Sequence, residues 1–466
     1  MKKSFAIILG ILSLAVVQPS FAQTEPSGFT NPINISNNTG NSTNPQMVFS
    51  GNSVYVTWLN TVSGTPSIFF TKSTDGGSSF GKPIDLGMAS SGDYGLPSIS
   101  HQGSNVYIAW QGFVSGNPII YFSKSSDDGV TFEKPLILSD KSKNSAFPQI
   151  VSSTNHVYVT WIEKAEDDST NIVFTKSDDS GNSFVAPMSI TSSKGNVGIP
   201  KLASDGNNVY LLWEDNSKGG YEIMLARSTD SGSTFATPVN ISNNSGSSGA
   251  PQLVVMKNKI YVVWMDDTSK NYEIYFAKSD DSGVSFSKPL DVSNTSGDSG
   301  YAQLDVSGVN VYVVWTETIS NTNYDIMFAK SSNDGTSFEK PVNLSKSTGA
   351  SGWPQIMAEN NDIYVSWVDN TPGNFDIYIT KSPDGGTTFV KPIDVSNTKD
   401  ESYYNQMAIT PSAAYMVWQE ANQGNHDIMF VKSAIFVPEF GSIASIVLTI
   451  SVFTIVIMSA RARLRL

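Results

Sequence analysis

An all-β fold, an eight-bladed β-propeller of four-stranded blades, is what the sequence of this 466-residue chain predicts. Three observations carry the prediction. Tryptophan recurs as Trp58, Trp110, Trp161, Trp213, Trp264, Trp315, Trp367 and Trp418, every 51 or 52 residues. Each copy closes the same strand pattern, and the last repeat lacks an outer strand that the N-terminus supplies. Self-similarity at such a period marks a chain built of stacked structural units.

Within a unit the elements follow in order. A short segment comes first, often Pro-Gln before an apolar residue, as at Pro45-Gln46, Pro148-Gln149, Pro251-Gln252 and Pro354-Gln355. The Trp strand follows, Val54 to Trp58 or Val311 to Trp315, where β-branched and aromatic residues alternate as in a strand packed between sheets. Ten to fifteen residues on comes a third strand, Ile172 to Lys176 or Ile326 to Lys330. A tight turn then leads to Phe-x-x-Pro, whose proline (Pro83, Pro135, Pro187, Pro238, Pro289, Pro341, Pro392) cannot donate to a ladder and belongs on the outermost strand. Four strands in about 50 residues is a propeller blade. Seven such outer elements run from Phe80 to Phe389, against eight Trp strands; the eighth is Phe29-Thr30-Asn31-Pro32, 51 residues before Phe80. The N-terminal strand is therefore expected to complete the last blade and leave no long open edge.

The turn before the outer strand reads Ser73-Thr74-Asp75-Gly76-Gly77-Ser78-Ser79-Phe80, with copies at Ser125 to Phe132, Ser177 to Phe184, Ser228 to Phe235, Ser279 to Phe286 and Ser382 to Phe389. Its acid is Asp75, Asp127, Asp179, Asp230, Asp281 and Asp384, and Asn333 stands in its place between Ser331 and Phe338. This turn resembles the Asp box of sialidase-like (BNR-repeat) propellers. The resemblance implies the fold over residues 29–433 and places the turn on the face away from a ligand. It does not imply sialidase activity: such enzymes clamp a substrate carboxylate with three arginines, because a guanidinium pairs with it bidentately. Between residues 23 and 436 there is one arginine, Arg227.

The ends read as targeting segments. Lys2-Lys3, an apolar run from Phe5 to Val17 and Ser20-Phe21-Ala22 form an export signal over residues 1–22. Ser442 to Ala460 is nineteen residues without a charge, long enough to cross a bilayer, and Arg461, Arg463 and Arg465 follow. Pro438-Glu439-Phe440-Gly441 before that segment resembles the PEFG-type sorting tail of archaeal surface proteins, which implies an archaeosortase-like processing partner for residues 437–466. The propeller, residues 23–436, is thus expected on the extracellular side of the membrane, as a monomer. It has no cysteine, so disulfides and thiolate sites are excluded. Its 24 basic and 41 acidic residues leave about −17, a surface that repels nucleic acid.

Candidate chemistry lies on the loops after the Trp strand and before the inner strand. Glu214, Asp215, Glu222, Asp266, Asp267, Glu273, Glu317, Asp325, Asp369, Asp376, Glu420 and Asp427 crowd the later blades, whereas blades one and two carry Leu59-Asn60 and Gln111-Gly112. Three readings compete: turn and rim residues; a Ca²⁺ site with Asp266, Asp267 and Glu273 as oxygen ligands; or paired carboxylates for glycoside chemistry among Asp215, Asp267, Glu317 and Asp369. No cofactor is required by any motif. The residue before each inner strand varies as Asn44, Leu96, Phe147, Ile199, Ala250, Tyr301, Trp353 and Tyr404. Phe147, Tyr301, Trp353, Tyr404 and the adjacent Tyr403 are ligand-binding candidates, placed to stack on sugars or grip a peptide at the channel mouth, or else to plug it. The expected function is a non-catalytic surface module holding glycan, polymer or protein; the alternative is a secreted carbohydrate-active hydrolase or lyase.

Overall fold

The computed structural model describes residues 28–433 except 90–95, 193, 321, 411–412 and 423. The expected export signal, the expected sorting motif Pro438–Gly441 and the C-terminal apolar segment lie outside the described residues. Among those described, no helix is long and apolar enough to cross a membrane.

Eight four-stranded antiparallel sheets make up the fold. Blade one is Asn41–Ser50, Ser53–Val62, Thr65–Ser73 and Ile84–Met88. Blades two to seven repeat that order, and blade six, Ser299–Ser307, Asn310–Ser320, Asn323–Ser331 and Val342–Asn343, is representative. Blade eight has Ser402–Thr410, Ala413–Asn422 and Asn425–Lys432, and its outer strand is Ile33–Asn34 from the other end of the chain. Ile33 pairs with Phe430 and Asn34 with Met429, a bridge joins Phe29 to Ser433, and Ile428 N donates to Ser36 Oγ at 3.1 Å. The expected N-terminal closure of the ring is therefore present, with the expected eight blades.

The core lies between blades. One buried cluster joins Tyr312, Val314 and Phe328 of blade six to Ile363, Val365 and Trp367 of blade seven, and another joins Val54, Val56 and Trp58 of blade one to Tyr415, Val417 and Phe430 of blade eight. All eight repeat tryptophans are fully buried. Each blade thus exchanges apolar surface with two neighbours, which is why a lone repeat has nothing to fold against.

The seven tight turns share one network. Ser73 Oγ donates to Asp75 Oδ1 at 2.7 Å, Ser79 N to Oδ1 at 2.9 Å and Ser79 Oγ to Oδ2 at 2.6 Å. These donors hold the Asp75 carboxyl far below the usual carboxylate range. Asn333 keeps the geometry, accepting from Ser337 N at 3.0 Å and donating to Ser337 Oγ at 2.8 Å. Gly77 (φ 76°) is required twice over. Its backbone is left-handed, and a Cβ there would lie 2.3 Å from the Phe430 ring of blade eight.

Candidate functional site

In blades one, three, five, six, seven and eight the inner strand carries a β-bulge, at Gly300/Gln303 in blade six, Gly352/Gln355 in blade seven and Tyr403/Gln406 in blade eight. At each bulge one residue takes a positive φ: Asn44, Phe147, Ala250, Tyr301, Trp353 and Tyr404, between 49° and 56°. These are six of the eight variable positions read from the sequence. A left-handed conformation is costly for a bulky side chain, and a bulge re-aims the side chain it carries. Here it turns three large aromatics into solvent: Tyr301 is 58 % exposed, Trp353 52 % and Tyr404 53 %.

Two clefts open beside them. The first, about 500 Å³, lies across blades five to seven, with Tyr272, Tyr301, Tyr324, Trp353 and Phe375 as its aromatic walls and Asp298, Thr316 and Thr318 among its polar groups. The second, about 430 Å³, lies between blades seven and eight and is lined by Trp353, Gln355, Tyr403, Tyr404, Asn405 and His426, among others. Trp353 is common to both, and Phe375 of the first packs 5.3 Å, centroid to centroid, from Tyr403 of the second. Both volumes fall within the range of about 300–1,000 Å³ usual for small-ligand sites. Polar groups fix the walls: Tyr272 N donates to Asp298 Oδ1 at 3.0 Å, while Phe375 N and the Tyr403 hydroxyl donate to Glu401 Oε2 at 3.1 and 2.7 Å. Of the aromatic candidates, Tyr301, Trp353, Tyr403 and Tyr404 are brought together. Phe147 stands apart on blade three and lines neither cleft.

The carboxylates have a different setting. Two residues after the repeat tryptophan, an acid accepts from its indole: Trp213 Nε1 reaches Asp215 at 3.4 Å, Trp264 reaches Asp266 at 3.4 Å, Trp315 reaches Glu317 at 3.0 Å, Trp367 reaches Asp369 at 3.2 Å and Trp418 reaches Glu420 at 3.1 Å. Three of these carboxylates, Asp266, Glu317 and Asp369, also accept from the first serine of the inner strand, Ser248 and Ser299 at 2.6 Å and Ser351 at 2.7 Å. Asp267 accepts from Ser247 N at 2.6 Å. Asp215, Asp266, Glu317 and Asp369 are buried and hydrogen-bonded within their own blades. The earlier blades lack this contact: Trp58 and Trp161 Nε1 have no partner among the described residues, Glu163 after Trp161 pairing instead with Lys143, and Trp110 Nε1 turns to the Met88 carbonyl. Asp266, Asp267 and Glu273 do not form a group of three able to hold a metal; no such group occurs among the described residues. In blade seven, burial and the nearby Asp394 push the Asp376 carboxyl up to about 6.

A further contact set had no counterpart in the sequence reading. Before six of the seven tight turns a cation reaches the turn of the next blade, as Lys72 Nζ does to Asp128 O at 2.6 Å, Lys176 to Ser233 Oγ at 2.8 Å, Lys278 to Asp334 Oδ2 at 2.7 Å and Lys330 to Thr387 Oγ1 at 3.2 Å; Lys381 pairs instead with Asp362 of its own blade at 2.7 Å. Lys124 bonds Asn182, and Arg227 reaches Ser282 O at 3.4 Å. Lys432 closes the series on Ser78 Oγ at 2.6 Å. The recurring Lys-Ser or Arg-Ser was the available signal.

No protein-family model matches the chain, and no curated protein matches it. Solved structures do. A polysaccharide lyase described as an ulvan lyase is 13 % identical with a TM-score of 0.50, the match covering 86 % of this chain and 95 % of that one. The polysaccharide lyase Uly1 is 9 % identical with a TM-score of 0.50, covering 83 % and 89 %. A GH93 α-L-arabinofuranosidase of Fusarium graminearum, in complex with arabinobiose, is 11 % identical with a TM-score of 0.43, covering 76 % and 98 %. At these identities the likeness to the two lyases shows the propeller fold alone.

Proposed function

We propose that this propeller is a carbohydrate-active protein of the cell exterior, and that its polysaccharide lies across the paired clefts of blades five to eight. The observation that carries the reading is Trp353, an exposed indole held at positive φ by a bulge and shared by two aromatic clefts. Flat aromatic faces beside polar groups suit the apolar faces and hydroxyl edges of sugar rings. The resemblance to polysaccharide lyase folds supports a carbohydrate-active enzyme. A purely binding role is the second reading. It is favoured by the engagement of Asp215, Glu317 and Asp369 within their blades, which leaves them poorly placed for acid–base work. External display rests on the two end segments, residues 1–22 and 437–466, and a Ca²⁺ requirement is the remaining proposal for the acidic rim.

The test is a polysaccharide panel read for binding and for new reducing ends or unsaturated products, with and without Ca²⁺. Binding that weakens about tenfold in Trp353→Ala, at unchanged thermal stability, supports the site. Turnover lost in the same variant assigns the enzyme; binding without turnover assigns the surface module. Binding indifferent to Trp353 would sink the cleft reading.

A further inference from the structure

The charge of the clefts narrows the sugar class. Among the described residues lining them there is no lysine or arginine; the one basic side chain is His426, whose Nδ1 lies 2.9 Å from Asn41 Oδ1. The fixed charge is negative. Asp298 lines the first cleft, and Glu401 is bonded to Tyr403, a wall of the second. The lysines of another loop cleft, on blades two to four, are largely matched: Lys143 pairs with Glu163 and Lys164 with Asp168, each at 2.6 Å. A uronate or sulfate ester brought into these clefts would lose water without meeting a cation, and would face carboxylates.

A neutral ring loses little there and has partners waiting. Gln355 and Gln406 offer amides in the second cleft, which both donate and accept, as sugar hydroxyls do. Because Trp353 walls both spaces, a chain lying in one can continue past the indole into the other.

We infer that the paired clefts select an uncharged polysaccharide, passing over Trp353 from one cleft to the next, and exclude uronate-rich and sulfated polymers. This rests on the carbohydrate reading above and sets the chain apart from what the name of its ulvan lyase neighbour says that protein acts on.

The purified full chain is titrated with a soluble neutral glucan and a neutral mannan, and with a polyuronate and a sulfated ulvan, at low and at high salt. The expected result is neutral binding at least tenfold tighter than anionic binding and unmoved by salt, since no ion pair is made. That binding falls about tenfold in Trp353→Ala and Tyr404→Ala. Thr318→Lys, which places a cation in the first cleft, raises the ratio of polyuronate to neutral-polymer affinity severalfold. Polyuronate or ulvan bound as tightly as the neutral polymers, with dependence on Trp353, would overturn the charge selection while leaving the carbohydrate site standing. If no polymer of either class depends on Trp353, the carbohydrate reading itself fails.

Discussion

At the scale of the residue, burial separates two kinds of acid that the sequence presents alike. Asp75 and its equivalents sit at the surface, held ionised by the hydroxyl and amide donors of their own turn. Asp376 is buried beside Asp394, with its carboxyl pushed up to about 6. The folded chain therefore holds a proton there that the unfolded chain, with an ordinary value of 3.8, has already released. The ionised form opposes folding, so this group's stabilising contribution is complete below about pH 4 and is lost as pH rises through 6. Asp376→Asn keeps an oxygen to accept from Ser396 Oγ, now at 3.0 Å, and removes the charge. It is expected to raise the melting temperature at pH 7 and to have no effect at pH 4; an equal shift at both would refute the account. The partners that fix each acid's fate lie 2 residues away for Trp315 and Glu317 but 18 away for Ser299 and Glu317. The short contact was legible in the spacing, and the long one needed the register of the sheet.

At the scale of the element, the bulge and the tight turn both place residues in left-handed backbone, and to opposite ends. The bulge puts Tyr301, Trp353 and Tyr404 where ligand can reach them. The turn puts a glycine where only glycine fits, against the aromatic of the preceding blade. The two effects at a turn glycine can be separated. Gly51 (φ 57°) has open space where its Cβ would be, so Gly51→Ala meets only the backbone preference, about 1–2 kcal/mol. Gly77→Ala meets that and the Phe430 ring, and is expected to cost about 1–3 kcal/mol more in chemical denaturation. Equal losses would mean that the interblade packing yields freely. The variable position was legible because one register repeats eight times, although in six blades it lies within the inner strand, at the bulge, and not before it. Its positive φ was not, since no glycine or asparagine marks it in blades six to eight.

At the scale of the whole molecule, period and strand count gave blade number and closure together, because a missing outer strand at one end and a surplus one at the other admit a single solution. The cation ties from blade to blade escaped notice, although Lys72, Lys124, Lys176, Arg227, Lys278, Lys330 and Lys432 stand in register. Removing residues 28–36 takes away Phe29 and the buried Ile35 along with the outer strand of blade eight. The burial of those two side chains alone is worth about 3–6 kcal/mol. The truncated chain is expected to melt well below the intact one, and to associate through its exposed edge in light scattering. A truncation that melts with the intact chain and stays monodisperse would show that the seam is dispensable.

The seam also imposes an order on biogenesis. Ser36 and Ile428 meet across 392 positions of chain, so blade eight cannot exist until nearly the whole propeller has been synthesised. Each intervening blade can pair its own strands as it emerges, because those contacts are local. A nascent chain therefore carries a growing open arc whose first segment waits unpaired, and the ring becomes one cooperative body at its last step.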